Sequence, residues 1–160
     1  MGHTRLTLYH DSLLRNEVHL VVGVPIAHAL SSTLHDAHLI FRWHHRKKYH
    51  TRGRLFHDRF RHEAISEQDL LRIGGRVEQI PVRGGLVTHP ADYPHSSYAH
   101  YAFGQTNSML DPHAHYEALA ATPYRRQEQY KRLTSPARFV PLRTVSWKSE
   151  PYGPARMKIS

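Results

Sequence analysis

Apolar and polar positions alternate over the first two dozen residues. Leu6, Leu8, Leu13 and Leu14 precede a polar break at Arg15-Asn16, after which Val18, Leu20 and Val22 alternate with Glu17, His19 and Val21. A period of two is that of a half-buried strand, so Arg5 to Val24 is expected to form two short strands joined as a hairpin. Side chains two residues apart on a strand share a face, which lets Glu17 and His19 point at a common ion.

From Pro25 the spacing changes. Ile26, Leu30, Thr33/Leu34, Ala37 and Phe41 step by three or four, which predicts a helix with Pro25 in its first turn, running to about Lys48 and ending before Gly53. Leu55, Phe56 and Phe60 fall in a short extended or irregular passage. Ser66, with Asp69 three residues on, reads as an N-cap opening a helix over 67–79 that Gly74-Gly75 weakens and Pro81 stops. Gly84-Gly85, His89-Pro90 and Tyr93-Pro94 mark a turn-rich connector. Asp111-Pro112 and Thr122-Pro123 each pair a cap residue with proline at the first helical position, predicting helices over 112–121 and 123–133. Beyond Ser135-Pro136 no period survives, so residues 1–135 are expected to form one domain and 136–160 a mostly disordered tail, with Trp147 and Tyr152 as its docking aromatics.

Composition narrows the classes. A chain of 160 residues is long enough to build one core without staples, burying roughly 70% of its extended-chain surface. The absence of cysteine excludes a disulfide framework, a thiolate nucleophile, a Cys-type zinc site and an iron–sulfur cluster. No apolar run approaches the ~20 residues of a membrane span, and Met1 to Arg5 does not resemble a signal peptide, so a soluble, cytoplasmic protein with no membrane partner is expected.

Charge changes the picture more. The net charge of +9 points to polyanions, nucleic acid before acidic lipid. Arg42, Arg46, Lys47, Lys48, Arg52, Arg54, Arg59 and Arg61 place eight of the 22 basic residues within twenty positions, opposed there by Asp58 alone. Arg46, Lys47 and Lys48 also suit the negative end of a helix dipole, a reason for the cluster that needs no partner. Phe41, Trp43, Tyr49 and Phe56 interleave these cations, the mixture of charge for phosphate and ring for base that a single strand requires, although the same rings would serve as a helix's core face. The sixteen histidines are scattered and form no repeat. His35 and His38 lack a third zinc ligand, and His113 and His115 would diverge on a helix. Tyr49, Tyr93 and Tyr98 suit packing or turns better than nucleophilic attack.

Several passages together are similar to one family. Asn16-Glu17-Val18-His19-Leu20-Val21-Val22 resembles the N-H-V-H-L-L passage of the single-tyrosine, HUH-type transposases. Gly53-Arg54-Leu55-Phe56-His57-Asp58-Arg59-Phe60, Val82-Arg83-Gly84-Gly85-Leu86-Val87 and Ala91-Asp92-Tyr93-Pro94-His95-Ser96-Ser97-Tyr98 resemble G-x-L-W-x-x-R-F, P-V-R-A-G-L-V and x-D-Y-P-W-S-S-Y of the REP-associated tyrosine transposase branch. They occur in that order from about residue 5 to 133.

The resemblance implies an α+β, ferredoxin-like antiparallel sheet with helices packed on it, followed by C-terminal helices. It also implies an H-x-H pair and a helical amide that bind Mg²⁺ or Mn²⁺. A tyrosine one turn before that amide would attack a phosphate of single-stranded or hairpin DNA. Here Glu17 stands at the first histidine, His19 at the second, Arg76 at the tyrosine and Ile80 at the amide. A carboxylate still suits a hard cation, so Glu17 and His19 are the candidate metal ligands. A guanidinium does not deprotonate, so Arg76 cannot be the nucleophile, no catalytic residue is assigned, and transposition is expected to be impaired. Arg46, Lys47, Lys48, Arg52, Arg54, Arg59 and Arg61 are the candidate DNA contacts. The family's first strand and helix have no counterpart before Arg5, so the expectation is either that a second copy completes the sheet as a homodimer or that the chain is a shortened, marginally stable descendant. The alternative function is a non-catalytic DNA-hairpin-binding module or inactive transposase fragment.

Overall fold

A computed structural model describes residues 6–53, 55–56 and 60–135. The proposed tail and the candidate contacts Arg54 and Arg59 lie outside the described residues. The predicted hairpin is present. Strand β1 (Thr7–Leu13) pairs antiparallel with β2 (Val18–Gly23), closed by the Leu14 amide donating to the Glu17 carbonyl. The register shifts between Leu8 and His10, which makes Tyr9 the extra residue of a bulge. That one residue reverses the parity of β1, setting His10 opposite Val21 and Ser12 opposite His19.

The far edge of β1 is not open. Leu13 donates to the His95 carbonyl, Ser97 to that of Asp11 and Asp111 to that of Leu8, so later segments of chain complete the strand's backbone pairing. His10, Asp11 and Ser12 are consequently all buried, on both faces of one strand. Strand β2 buries Val21 against Leu70 and Val77, while Val18 and Leu20 on its other face remain 50% and 39% exposed. The architecture is mixed α+β. Among the described residues its sheet has two strands, and the further strands of a ferredoxin-like sheet do not occur there because the chain continues as helices and turns.

Helix α1 (Ala27–Tyr49) matches the predicted span within two residues, and His50 ends it in the left-handed region at φ 53°. Its basic last turn, Arg46, Lys47 and Lys48, sits where the helix carbonyls are unpaired. Among its described side chains only Ala29 is buried. Leu30, Leu34, His38 and His45 are half-covered along one line, with Phe56 stacked on His38 at 4.2 Å between ring centres.

The predicted 67–79 helix is two pieces: a single 3-10 turn over Glu67–Asp69, then α2 (Leu70–Glu78). Ser66 begins the turn, but its hydroxyl donates to the Asp69 carboxylate instead of capping a backbone amide. Pro81 does not stop the chain's helical course as predicted. It occupies the first turn of α3 (Ile80–Arg83), where its missing N–H costs nothing.

Helix α4 (Tyr98–Phe103) falls in a stretch with no helical expectation, closed by Gly104 at φ 71°. The 112–121 helix shrinks to α5 (Ala114–Glu117), because His113 is extended and turned into the core. Helix α6 (Pro123–Leu133) is as predicted, with Thr122 Oγ1 accepting from the Arg125 amide. Tyr98, Tyr101, Ala102, Leu110, Tyr116 and Tyr130 form the larger core cluster. No helix among the described residues is long and apolar enough to cross a membrane.

Candidate nucleic-acid interface and the buried polar centre

Of the cations and rings singled out from sequence, Phe41, Arg42, Trp43, Arg46, Lys47, Lys48 and Tyr49 lie on the C-terminal half of α1, whereas Phe56 is half-buried against His38 and Phe41 of that helix. Phe41, Trp43 and Tyr49 are 52%, 59% and 56% exposed. Residues four apart lie one turn along a helix face, about 6 Å apart in rise, and Phe41, His45 and Tyr49 form such a row, with ring centres 5.9 and 4.7 Å apart. Lys47 Nζ lies 5.1 Å from the Trp43 ring centre and Lys48 Nζ 5.2 Å from that of Tyr49, so the ammonium groups are held beside ring faces. Arg46 donates to the Gly53 carbonyl at 2.9 Å, fixing the turn that leaves the helix, and His45 Nδ1 meets Thr51 Oγ1 at 3.0 Å. Arg52 and Arg61 are exposed.

Glu17 and His19 do converge. Glu17 Oε2 lies 3.0 Å from His19 Nε2, with the two side chains only 12% and 11% exposed. Their facing atoms are engaged with each other, and no third His, Asp or Glu joins them to make a metal-holding group among the described residues. One carboxylate and one imidazole fall short of the oxygen-rich shell that Mg²⁺ or Mn²⁺ prefers, and a divalent ion would have to part the pair.

Arg76 is buried in α2, 5% exposed. Burial, and then the charges of Arg72 and Arg83, lower its pKa, which leaves it a cation without basic chemistry. Ile80 is half-buried at the start of α3. Of the alternative tyrosines, Tyr93 donates to the Leu13 carbonyl at 2.6 Å and Tyr98 lies in the core. Tyr49, expected to pack, is instead exposed on the α1 row.

The polar centre of the molecule is elsewhere, and sequence reasoning missed it. Glu78 on α2 is fully buried, and three donors converge on its carboxylate. Ser97 Oγ reaches Oε1 at 2.5 Å, His10 Nδ1 reaches the same oxygen at 3.0 Å, and the Tyr130 hydroxyl donates to Oε2 at 2.7 Å. Each carboxyl oxygen of this buried group therefore has side-chain partners, which offsets the cost of taking it out of water.

His10 is clasped from every side. The Tyr101 ring stacks on it at 4.4 Å, and its Nε2 lies 3.3 Å from His113 Nε2. Gly74 of α2 lies directly beneath, where a Cβ would come within 2.3 Å of the imidazole. The Gly74-Gly75 pair, a weak point by helix propensity, is the one sequence signal of this close approach.

Burial, and then the Glu78 charge, raise the Tyr101 and Tyr130 hydroxyls well above the ordinary phenol range, so both remain donors: Tyr101 bonds the Tyr9 carbonyl. Burial, with His10 and His115 nearby, holds His113 down to about 4. Each group of this centre is buried, so it binds the elements together.

Comparison with protein-family models, curated proteins and solved structures finds no match to this chain.

Proposed function

We propose that this chain is a DNA-binding module of transposase descent that holds single-stranded or hairpin DNA on the C-terminal half of α1, with strand cleavage lost or impaired. The observation that carries it is the exposed row of rings on α1 with its cations. Phe41, Trp43 and Tyr49 leave more than half of their surface in solvent, on the same half of the helix as Arg42, Arg46, Lys47 and Lys48. They present π-faces to bases while the cations meet phosphates, the division of labour used by proteins that bind single strands. The motif resemblance supplies the descent, and the +9 charge supplies attraction to a polyanion at a distance. Arg76 in α2 and Ile80 at the start of α3, at the positions that resemble the family's tyrosine and amide, support the loss of cleavage.

The test is binding of labelled hairpin DNA against a scrambled strand of equal length at physiological salt. Preference for the hairpin is expected, and equal weak binding of both would reduce the reading to polycation attraction. Lys47→Ala with Lys48→Ala should flatten the dependence of log affinity on log salt by about one to two units, since each phosphate contact contributes close to one. Trp43→Ala should cost about 1–3 kcal/mol of binding through lost stacking while leaving the unfolding midpoint in place.

The convergence of Glu17 with His19 favours a second reading, residual cleavage with Mg²⁺ or Mn²⁺. Incubating hairpin DNA with the protein and Mn²⁺ before a denaturing gel tests it, a shifted covalent species being the positive result. Pairing of a second copy along the outer edge of β2 would complete the sheet, and sedimentation equilibrium reads that out directly.

A further inference from the structure

We propose that the contact between His10 and His113 is a proton-sensitive latch: the folded core cannot hold both imidazoles in their charged form, so acid opens the seam between β1 and the segment 110–119. Proton counting on the observed geometry carries this. His10 Nδ1 lies 3.0 Å from Glu78 Oε1, with room for one hydrogen, and the two Nε2 atoms face each other at 3.3 Å, again with room for a single hydrogen between them. With both rings neutral, the two protons sit in the two hydrogen bonds. One further proton can be placed only on His113 Nδ1, a buried atom with no hydrogen-bond partner among the described residues. A fourth would set two N–H groups head to head across the contact, where neither finds an acceptor. The unfolded chain has no such restriction, and both rings charge there below about pH 6.5.

The surroundings offer the extra charge no relief. From β1 the Tyr9 ring meets His113 edge-on at 5.5 Å, and Asp11 is held above the ordinary carboxylate range, first by burial and then by Glu78, though His10 opposes this. From α2 comes the Glu78 carboxylate, already bonded by three donors. The Tyr101 ring from α4 stacks on His10, with Tyr98 lying beyond, and the Tyr130 hydroxyl from α6 is committed to Glu78. The His115 ring of α5, 6.1 Å from that of His113, adds a like charge when protonated.

Folding therefore expels at least one proton that the unfolded chain binds, and each such proton makes the unfolding constant rise about tenfold per pH unit of acidification. Urea unfolding of the full chain at pH 7, 6 and 5 is compared with His113→Gln, whose amide N–H can still donate to His10 Nε2. The wild-type unfolding constant should rise about tenfold more per pH unit than that of the variant below pH 6. Equal pH dependence in the two proteins overturns the proposal. Should the variant fail to fold, ring-labelled histidine NMR of the wild type decides. At least one of the His10 and His113 signals should keep its neutral-imidazole position down to the acid unfolding midpoint. Movement of both to the imidazolium position in the folded protein would overturn the latch.

Discussion

Gly74 is where the sequence and the polar centre touch. A methyl group there would meet the buried His10 ring at 2.3 Å, and the ring cannot retreat because Glu78, Tyr101 and His113 hold its other sides. Gly74→Ala, which by helix propensity alone should stabilise, is expected instead to cost about 1–3 kcal/mol, as overpacking does, in a chemical unfolding experiment. Glu78→Gln keeps the shape but sets an amide donor against the Ser97, His10 and Tyr130 donors. A loss of about 1–3 kcal/mol is expected for leaving a buried donor without its acceptor. None of this was legible residue by residue. Glu78 reads as an ordinary helix glutamate and His113 as part of a chance H-x-H. Their partners lie 68 and 103 residues away in the chain, a separation that no local pattern encodes.

Elements were legible in proportion to how far local signals decide them. The hairpin, α1 and α6 follow from period and caps, and each lies close to its predicted span. The 112–121 helix failed because a tertiary demand, His113 reaching His10, outweighed the Asp-Pro start signal. Helix α4 escaped notice because a six-residue helix whose Tyr98, Tyr101 and Ala102 are all buried has too little length to display a period. The Pro-Val-Arg passage was visible as a motif, whereas the helical turn at Pro81 was not. For α6, Thr122→Ala should lower stability by about 1 kcal/mol through loss of the bond to the Arg125 amide, measured as a shift in urea midpoint at constant slope. On α1 the opposite holds. Ile40 is 60% exposed, so Ile40→Gln should change the midpoint by no more than about 0.5 kcal/mol even though it lies in the most hydrophobic part of the helix.

For the whole molecule, pH acts through groups of opposite sense. His113 is held below its unfolded value, so the unfolded chain binds the extra proton, and stability falls as pH drops from about 6.5 toward about 4. Asp11 is held above its unfolded value, so its charged form burdens the fold at neutral pH and its protonation relieves that burden on acidification. Asp11→Asn should therefore raise the unfolding midpoint at pH 7, with the gain shrinking toward pH 4, in a series of urea titrations. The global charge was legible at once from composition, and the placing of Arg42, Arg46, Lys47 and Lys48 on one helix from the sequence pattern. Which face of that helix would be wet was not, because hydrophobic periodicity marks an apolar stripe without saying whether anything lies against it.

Trp43 turns that wet helix face into a practical matter for anyone following this protein by light. It is the one tryptophan among the described residues, and its indole stands in solvent while the core is lined with tyrosines. Emission from Trp43 will already be red-shifted in the native state and will change little when the tyrosine core comes apart. In a Trp147→Phe variant the same indole will be quenched when a base stacks on it, so its intensity reports occupancy, while near-ultraviolet dichroism of the tyrosines reports folding, and the two signals separate binding from denaturation in a single cuvette.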